Sequence, residues 1–426
     1  MKILILTPYF PYPLDSGGNN AQFYMLDQLR QKVDITLACP TTTQENFIAL
    51  QALLPDVDIK VMYLHTNNRS KFYRKYKVLR KQIKKTIKKV LSIFKIKPSV
   101  DMALLSVPIK SKMQFTYLFD NFNLKKDFID FVAQKLNEQK FDIIQVEFTA
   151  FMSLGVVLPK DIQKIFIHHE LGFVRTQREI DTLTKHNDGD TLLSAFLKQH
   201  EEFYLNAYDS IITFSEVDKV LMISELPEKK VYVSPFAIKS QTTKKVEFNE
   251  LKSLVYLGGE DHYPNNDAVQ WFIAEIMPKI MTQFPDIKFK VIGKWNKTTI
   301  DIYKEVKSVE FLGFVEDLVE AMKDSVMVVP LRIGSGIRAK IIEAFSSEIP
   351  VISSTIGIEG IPAVNGKHYF EANNSDDYIR IIQEIKSNKS LVHEIVLNSV
   401  TELVPLYDIA KCSEVRYEVY QDMLKK

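Results

Sequence analysis

The fold of the chain follows from one stretch, Ser325–Gly360, which reads SVMVVPLRIGSGIRAKIIEAFSSEIPVISSTIGIEG. Its first part, Val326–Leu331, is an apolar run broken only by a proline, which is typical of a buried parallel strand that ends at a turn. Gly334 and Gly336 then allow a sharp turn. The apolar residues that follow at helical spacing are Ile337, Ile341, Ile342 and Phe345. A further apolar strand at Pro350–Ser353 completes a predicted βαβ unit.

The glycine loop of this unit is a candidate phosphate site. The helix behind it directs free N–H groups and the positive end of its dipole at an anion, and Arg332, Arg338 and Lys340 add positive charge. Two other interpretations stay open. Gly334–Ala339 fits the relaxed dinucleotide fingerprint, with Glu359 as the acidic residue, although a short segment separates these glycines from the strand. A glycine turn can also be purely structural.

Residues 326–361 resemble the donor-binding segment of retaining, nucleotide-sugar-dependent glycosyltransferases of the GT-B fold, family GT4. That family carries two glutamates here, and Glu343 matches the second. The first falls at Ser335, as in a subgroup with a Pro-Leu-Arg…Gly-Ser-Gly…Lys…Glu-Ala pattern, where backbone amides stand in for it. The donor-site residues implied by the resemblance are Gly334, Ser335, Gly336, Ile337, Arg338, Lys340 and Glu343. In this assignment Glu343 accepts hydrogen bonds from the ribose.

Composition limits the class of protein. A length of 426 residues suits two domains, and 46% apolar with 25% charged residues is typical of a soluble globular chain. A net charge of +2 does not indicate a nucleic-acid binder. Cys39 and Cys412 are too few for a disulfide framework or a zinc site. Since no signal peptide and no membrane-spanning run are evident, we expect a cytoplasmic protein.

The N-terminus repeats the pattern of strand, glycine loop and helix. Lys2–Thr7 reads as a central parallel strand, Asn20–Gln31 as a helix and Val33–Ala38 as the next strand. Gly17 and Gly18 lie between the first strand and the helix, and they match a glycine pair that sits near the acceptor in the resembled family. A plain turn explains them as well.

A basic segment interrupts this first half. Residues 59–100 contain no Asp or Glu, and Arg69–Lys97 holds thirteen Lys and Arg with apolar residues every three or four positions. This pattern predicts a basic amphipathic helix within an insertion at about 66–100. Such a helix either lies on an anionic membrane surface or packs its apolar face on the domain. Both interpretations stay open, and the first would make the protein peripheral on the inner face of the plasma membrane.

Two histidines follow a predicted strand. Phe141–Glu147 and Ile165–Ile167 are both apolar strands, and polar residues come at their carboxyl ends, where open α/β sheets bind ligands. His169, followed by an acidic residue, matches a family histidine that contacts the donor sugar and its phosphate, and His168 is the second choice. We therefore expect these residues to border a cleft, and which of the two histidines faces it stays open.

Two other polar motifs have structural interpretations. Asp188-Gly-Asp190 resembles the metal motif of another glycosyltransferase fold, but no strand precedes it, and Lys185–Asp190 is predicted to be a loop. The family resemblance implies no metal and no cofactor at the donor site. Ser215 and Asp218 read as the capped start of a helix.

The second half restarts the same pattern after a polar linker at Lys239–Lys245. Ser253–Leu257 is predicted to be a strand, with the glycine turn Gly258-Gly259 behind it and a helix from about Tyr263. The segment from Gly259 to Ala268 resembles the same GT4 subgroup. Since it carries no Arg or Lys, the diphosphate would depend on the cations of the later loop.

Two further segments complete the resemblance. Phe314, Val315 and Glu316 match the family segment whose backbone frames the nucleotide base. Tyr407–Leu424 has a mixed amphipathic pattern, and the last helix of this fold crosses back onto the first domain. We therefore predict the same crossing here.

These patterns predict an α/β protein with two Rossmann-like, doubly wound parallel-sheet domains that face each other across a cleft, the GT-B arrangement. The predicted units are residues 1–240, with the basic insertion, residues 246–405, and a returning helix at 406–426. The first domain is expected to bind the acceptor and the second the nucleotide sugar.

The expected function is that of a retaining glycosyltransferase. It would move a sugar from a UDP- or GDP-linked donor to a glycan or lipid-linked acceptor in polysaccharide synthesis, with no nucleic-acid partner. Two alternatives remain, since fold does not fix function. One is a catalytically silent partner of an active transferase, which the serine at position 335 favours, and the other is an NAD-dependent dehydrogenase.

Overall fold

The computed structural model describes residues 1–14, 17–41, 43–63, 124, 126–183, 185, 187–238 and 248–425. The predicted basic helix at Arg69–Lys97 and the predicted linker at Lys239–Lys245 lie outside the described residues. Within those ranges, every helix is too short or too polar to cross a bilayer.

The first domain is built on a parallel sheet of seven strands in the order β3-β2-β1-β4-β5-β6-β7. The strands are β1 (Lys2–Leu6), β2 (Asp34–Thr41), β3 (Asp58–Tyr63), β4 (Ile143–Glu147), β5 (Gln163–Ile167), β6 (Ser210–Thr213) and β7 (Lys230–Val233). The central strands are apolar on both faces because helices cover both sides of the sheet, and Ile3, Leu4 and Ile5 are almost completely buried.

Helices connect these strands. They are α1 (Gly17–Leu29), α2 (Gln44–Leu53), α3 (Lys126–Glu138), α4 (Gly172–Asp181), α5 (Asp188–Leu205) and α6 (Glu216–Glu225), with a short turn of helix at Thr149–Val156. The loop predicted for Lys185–Asp190 is wrong at its end, because Asp188 and Asp190 open α5. The Asn187 side chain accepts hydrogen bonds from the first amides of this helix, and the Asp190 carboxylate accepts one from the Asn187 amide, which together form a capping box.

The second domain contains a parallel sheet of six strands in the order β10-β9-β8-β11-β12-β13. The strands are β8 (Ser253–Leu257), β9 (Lys288–Ile292), β10 (Val309–Gly313), β11 (Ser325–Val329), β12 (Val351–Ser353) and β13 (Phe370–Glu371). The helices are α7 (Tyr263–Trp271), α8 (Met277–Gln283), α9 (Lys297–Tyr303), α10 (Leu318–Ala321), α11 (Ala339–Ser346), α12 (Thr355–Ile358), α13 (Ser375–Ser387) and α14 (Lys389–Asn398).

The last helix, α15 (Ile409–Leu424), packs on the first domain. Arg416 donates from Nε to the Ser234 hydroxyl at 2.9 Å. Lys230 and the Asp422 carboxylate form an ion pair at 2.6 Å. These contacts tie the end of the chain to β7 and to the residue that follows it, so α15 returns the chain from the second domain to the first.

Both sheets reverse their strand order next to their first strand, between β1 and β4 and between β8 and β11. Loops that follow the strands on the two sides of such a reversal diverge and leave a crevice at the carboxyl edge, where ligands bind. In the second domain the two loops are Gly258-Gly259 and the segment around Gly334–Gly336. The predicted fold class, with two doubly wound parallel sheets, is confirmed.

Candidate functional site

The loop between β11 and α11 needs glycine at two positions. Gly334 has φ +121° and Gly336 has φ +77°, conformations that residues with side chains rarely adopt. A Cβ atom at Gly336 would also stand 2.5 Å from the His169 carbonyl oxygen of the first domain. This loop, Gly334–Ile337, is called the donor loop below, and its backbone runs directly against the first domain.

Lys340 links the donor loop to the other glycine turn. Its Nζ donates to Asn265 Oδ1 at 3.1 Å and to the Tyr256 hydroxyl at 3.3 Å, and it lies 4.4 Å from the centre of the Tyr256 ring. A Cβ at Gly258 would stand 3.0 Å from this ammonium group. Burial lowers the pKa of Lys340 to about 7, and the charge of Arg338 acts in the same direction. The amine therefore gains a full charge readily when an anion arrives.

Arg338 supplies a second cation. Its Nη1 donates to the backbone carbonyls of Ser335 and Gly336, which fixes the guanidinium under the loop. Its Nη2 is buried and has no hydrogen-bond partner among the described residues. A buried donor without a partner is costly, and an anion on the donor loop would satisfy it. Arg338 and Lys340 thus place two positive groups between the two glycine turns.

Glu343 follows Lys340 by one turn of α11. Burial raises the pKa of Glu343, while the charge of Lys340 opposes that effect. Its carboxyl group lies near Lys340 in the second domain, on the helix whose N-terminus faces the crevice. The structure therefore brings Arg338, Lys340 and Glu343 together on one element.

The two histidines after β5 have different surroundings. His168 Nε2 lies 2.6 Å from Glu201 Oε1, in the interior, where it holds α5 to the strand end. The His169 ring stacks on Phe148 at 3.7 Å, and its Nε2 lies 3.4 Å from Glu147 Oε2. Burial lowers the pKa of His169, although Glu147 acts in the opposite direction. His169 is accordingly neutral at pH 7, and it is the histidine that lies in the crevice.

A cavity of about 190 Å³ adjoins His169, between α1, the strand ends of the first domain and the donor loop. Its polar lining includes Gln22, Gln145, Glu147, His169 and Arg416, and Ile337 closes one side. The buried Glu147 carboxylate accepts hydrogen bonds from Gln22 at 2.9 Å and from Gln145 at 2.6 Å. The remaining wall is apolar, so a polar group inside would meet hydrogen-bonding partners at one end only.

Gly17 and Gly18 are the first residues of α1 rather than part of a preceding loop. Gly18 lines the same cavity, and no atom lies within 4 Å of the place where its Cβ would stand. In the second domain, Gly259 lies beside Lys294, whose carbonyl oxygen is 3.4 Å from the position of a Cβ. The Gly17-Gly18 pair and the Gly258-Gly259 turn therefore lie on opposite sides of the crevice.

Phe314, Val315 and Glu316 form the loop after β10. The Phe314 side chain is 79% exposed, whereas Val315 packs partly against the core. This loop lies at the carboxyl edge of the second sheet, two strands from the Gly258 turn. This loop therefore forms an outer wall of the crevice.

Contacts across the crevice were not predicted from the sequence. Arg178 of α4 donates to the Gly334 carbonyl at 2.6 Å and forms two hydrogen bonds with Glu359. The Ser335 hydroxyl donates to the Leu171 carbonyl at 3.1 Å. Glu359 is therefore engaged by Arg178, which argues against the dinucleotide interpretation, since that interpretation needs this carboxylate for a ribose.

Arg416 and Gln22 were also missed, although a weak signal for Arg416 exists. The buried face of α15 carries Cys412, Arg416, Val419, Tyr420 and Met423. An arginine in an otherwise buried helical stripe is unusual unless it is paired, so its position alone suggests a specific polar partner. Gln22 offers no comparable signal, because a glutamine in an amphipathic helix is ordinary. Among the described residues, no group of three or more His, Cys, Asp or Glu side chains could hold a metal ion.

Comparisons with known proteins agree with this architecture. Residues 252–388 match the family model described as "Glycosyl transferases group 1". A curated relative, an uncharacterized 44.6 kDa protein in the cps region of Klebsiella pneumoniae, is 23% identical over 212 residues, which cover 46% of this chain and 54% of the relative. The match thus spans about half the length of that protein.

Solved structures show similarity over the whole chain. Sucrose-phosphate synthase from Thermosynechococcus elongatus has a TM-score of 0.67 at 13% identity, covering 99% of each chain. Anabaena HepE in complex with UDP and glucose has a TM-score of 0.62 at 12% identity, again over 99% of each chain. S. aureus TarM with UDP has a TM-score of 0.63 at 13% identity, over 98% of this chain and 99% of the other. The chain therefore has the GT-B fold and carries in its second half a glycosyltransferase domain of group 1.

Proposed function

We propose that the protein is a retaining glycosyltransferase that moves a sugar from a UDP-linked donor to a glycan or lipid-linked acceptor. The observation that carries this proposal is the pair of cations between two glycine turns. Arg338 has a buried Nη2 without a partner, and Lys340 has a pKa of about 7. This arrangement suits a diphosphate, which supplies the negative charge and the acceptor oxygens that both side chains need.

The proposed donor is UDP-linked because solved relatives carry that nucleotide. The HepE structure contains UDP and glucose, and the TarM structure contains UDP. A GDP-linked donor is the alternative, since the residues that would frame the base, Phe314–Glu316, offer mainly backbone groups and an exposed aromatic ring.

The proposed pathway is the synthesis of a cell-surface polysaccharide. The curated relative lies in a cps region, which supports a capsular or similar glycan as the acceptor. The hypothesis that Arg69–Lys97 binds an anionic membrane surface fits a lipid-linked acceptor, and it concerns a segment outside the described residues. Attachment of this kind would place a cytoplasmic enzyme at the inner face of the plasma membrane.

The mechanism assigned to the site is electrostatic. As the bond to the sugar breaks, negative charge develops on the leaving diphosphate, and preorganised donors at that place lower the barrier. The amides of Gly334, Gly336 and Ile337, the N-terminus of α11 and the side chains of Arg338 and Lys340 would supply this stabilisation without a metal, whereas the Ser335 amide donates to Glu170. Glu343 would accept hydrogen bonds from the ribose, and neutral His169 would contact the transferred sugar. Retention at the anomeric carbon is part of the proposal.

Calorimetric titration tests the proposal directly. UDP, GDP and NAD are titrated into the wild type and into Arg338→Ala. We expect one nucleoside diphosphate to bind the wild type and to bind the variant at least tenfold more weakly, because a charge-assisted hydrogen bond contributes about 1.5–3 kcal/mol. Binding of NAD alone would favour the dehydrogenase, and equal binding to both proteins would remove Arg338 from the site.

The silent-partner hypothesis has one specific observation in its favour. The Ser335 side chain is directed at the Leu171 carbonyl of the first domain, and it brings no carboxylate to the donor loop. Hydrolysis of UDP-sugars by the purified protein separates the two functions. Slow release of UDP that Arg338→Ala abolishes would establish an active enzyme, whereas binding without any turnover would support the silent partner.

A further inference from the structure

Glu170 of the first domain reaches the donor loop of the second. Its Oε1 lies 3.4 Å from the backbone nitrogen of Ser335, which donates to it, and its Oε2 accepts a hydrogen bond from Arg175 Nη1 at 2.9 Å. The side chain is 20% exposed, so it borders the crevice rather than the interior. The position where a Cβ of Gly334 would stand is 3.6 Å from Oε1.

Glu170 is a carboxylate at neutral pH. Burial alone would raise the pKa of this group, but Arg175, which is charged and hydrogen-bonded to it, and the neighbouring His262 and Arg338 outweigh burial, so that the pKa lies below the usual value. An ionised carboxylate only accepts hydrogen bonds, and it offers about four lone-pair directions. Whatever binds next to it must therefore donate.

Glu170 lies at the Gly334 end of the donor loop, beside Arg338: Arg338 Nη2 and Glu170 Oε1 are 2.9 Å and 3.6 Å from the position of a Gly334 Cβ. Lys340 and the Gly258 turn lie at the helix end of the donor loop, whereas Ser335 lies at the opposite end, before the helix begins at Ala339. Two anions in contact repel each other, so a diphosphate held between Arg338 and Lys340 would not contact the Glu170 carboxylate directly. The group that suits this end carries no charge and has several O–H donors.

His169 and Glu170 are neighbours in the sequence, but their side chains face different spaces. His169 lines the cavity of the first domain, and Glu170 contacts the donor loop. A sugar attached to a diphosphate on the donor loop, with its reacting carbon directed toward that cavity, would pass between these two residues. The carboxylate would then meet hydroxyl groups of the sugar.

We propose that Glu170 is a specificity-determining residue that accepts hydrogen bonds from hydroxyl groups of the transferred sugar and restricts the donor to uncharged sugars. Neutral hexoses and N-acetylhexosamines satisfy the carboxylate, whereas the carboxylate of a uronic acid would be repelled by it. This inference rests on the proposed function and adds the chemical class of the donor sugar.

The test compares ratios of affinity. UDP, UDP-glucose, UDP-N-acetylglucosamine and UDP-glucuronate are titrated into the wild type, Glu170→Gln and the control Glu202→Gln, whose glutamate is equally exposed and pairs with Lys198. We expect Glu170→Gln to leave UDP affinity within about twofold and to weaken the preferred neutral UDP-sugar about tenfold relative to UDP. Its preference for that sugar over UDP-glucuronate should fall by at least the same factor.

The outcomes separate this inference from the proposed function. If the wild type binds UDP and both ratios stay unchanged in Glu170→Gln, the inference is wrong and the proposed function stands. If the variant binds UDP more tightly with unchanged ratios, Glu170 is an internal competitor for the anion site and the inference is also wrong. A purely structural role would weaken every ligand equally. If the wild type binds none of these ligands, the proposed function fails and takes the inference with it.

Discussion

Arg178 of the first domain and Glu359 of the second are joined by two hydrogen bonds, from Nη1 to Oε1 at 2.8 Å and from Nη2 to Oε2 at 2.6 Å. The same Nη1 donates to the Gly334 carbonyl at 2.6 Å. One side chain thus holds both the donor loop and the segment after α12. Because this pair spans the two domains beside the donor loop, we regard it as the clamp that sets their separation.

Replacement of the clamp arginine should open the crevice. Lysine keeps the charge but donates from a single point and cannot form the bidentate pair. We expect Arg178→Lys to weaken UDP binding about tenfold and to increase the radius of gyration measured by small-angle X-ray scattering. Arg380→Lys is the control, since Arg380 is 62% exposed and only loosely paired. An unchanged radius of gyration in Arg178→Lys would contradict the clamp.

Lys340 should make donor binding depend on pH. Its pKa of about 7 means that the free protein loses this positive charge as pH rises through neutrality. Since the charged amine binds a diphosphate and the neutral amine does not, binding above pH 7 requires proton uptake and weakens by up to about tenfold per pH unit. Calorimetry of UDP-glucose in buffers of different ionisation enthalpy measures this uptake, because the diphosphate of that donor does not titrate near pH 7.

Lys340→Met should abolish both the proton uptake and the pH dependence, while Lys279→Met should keep them. Lys279 is bonded to Ser375 and lies away from the loop. If Lys340→Met binds UDP-glucose with the same pH profile as the wild type, another group takes up the proton and the role assigned to Lys340 is wrong.

The same shift predicts a change in stability. Lysine has a pKa near 10.5 in the unfolded chain and about 7 here, so the unfolded state binds more protons between these values and the folded state gains stability as pH rises. The free energy of unfolding of the wild type, relative to that of Lys340→Met, should therefore increase by up to about 1.4 kcal/mol per pH unit above neutrality. Urea unfolding of both proteins at pH 7, 8 and 9 measures this difference. A constant difference across the series would show that the amine is not buried in its neutral form.

The sequence was informative where the signal was local. Val326–Leu331 and Lys2–Thr7 predicted central strands because parallel strands buried on both faces need continuous apolar residues. The glycine turns were visible for the same kind of reason, since few other residues tolerate their backbone conformations. Arg338 and Lys340 followed from their position just behind such a turn.

Contacts between distant parts of the chain left no such signal. Glu170 and Ser335 are separated by 165 positions, and nothing in the local pattern of either segment depends on the other. The error at Asp188–Asp190 has a different origin. The capping box uses Asn187 and Asp190 in place of the commoner Ser or Thr with Glu. Because Asn and Asp are also common in loops, the start of this helix was interpreted as a loop.

Gly336 offers a test of how closely the domains approach. Alanine there would meet the His169 carbonyl at 2.5 Å, in addition to the backbone cost of φ +77°. That cost is about 1–2 kcal/mol. Gly366→Ala is the matched control, because Gly366 has φ +76° and no atom within 4 Å of its Cβ position.

Both alanine variants should therefore lose stability, and Gly336→Ala at least as much as Gly366→Ala. Only Gly336→Ala should lose UDP affinity, by tenfold or more, because the domains must separate to relieve the contact. Thermal unfolding and calorimetry, measured on the same samples, check the two effects. Equal UDP affinity in the two variants would show that the donor loop does not touch the first domain in solution.

Arg416 should anchor the last helix to the first domain. Its side chain is almost completely buried, and it donates to the Ser234 hydroxyl at 2.9 Å and to the Ser234 carbonyl at 3.4 Å. Removal of a buried charged donor leaves its acceptors unsatisfied, which costs about 1–3 kcal/mol. We therefore expect Arg416→Met to lower the free energy of unfolding by that amount and to increase hydrogen exchange in α15. Lys411→Met, an exposed change in the same helix, should do neither. If hydrogen exchange in α15 is the same in both variants, the apolar face alone holds this helix. Arg416, which lines the cavity, would then be available to bind a ligand and would not anchor the helix.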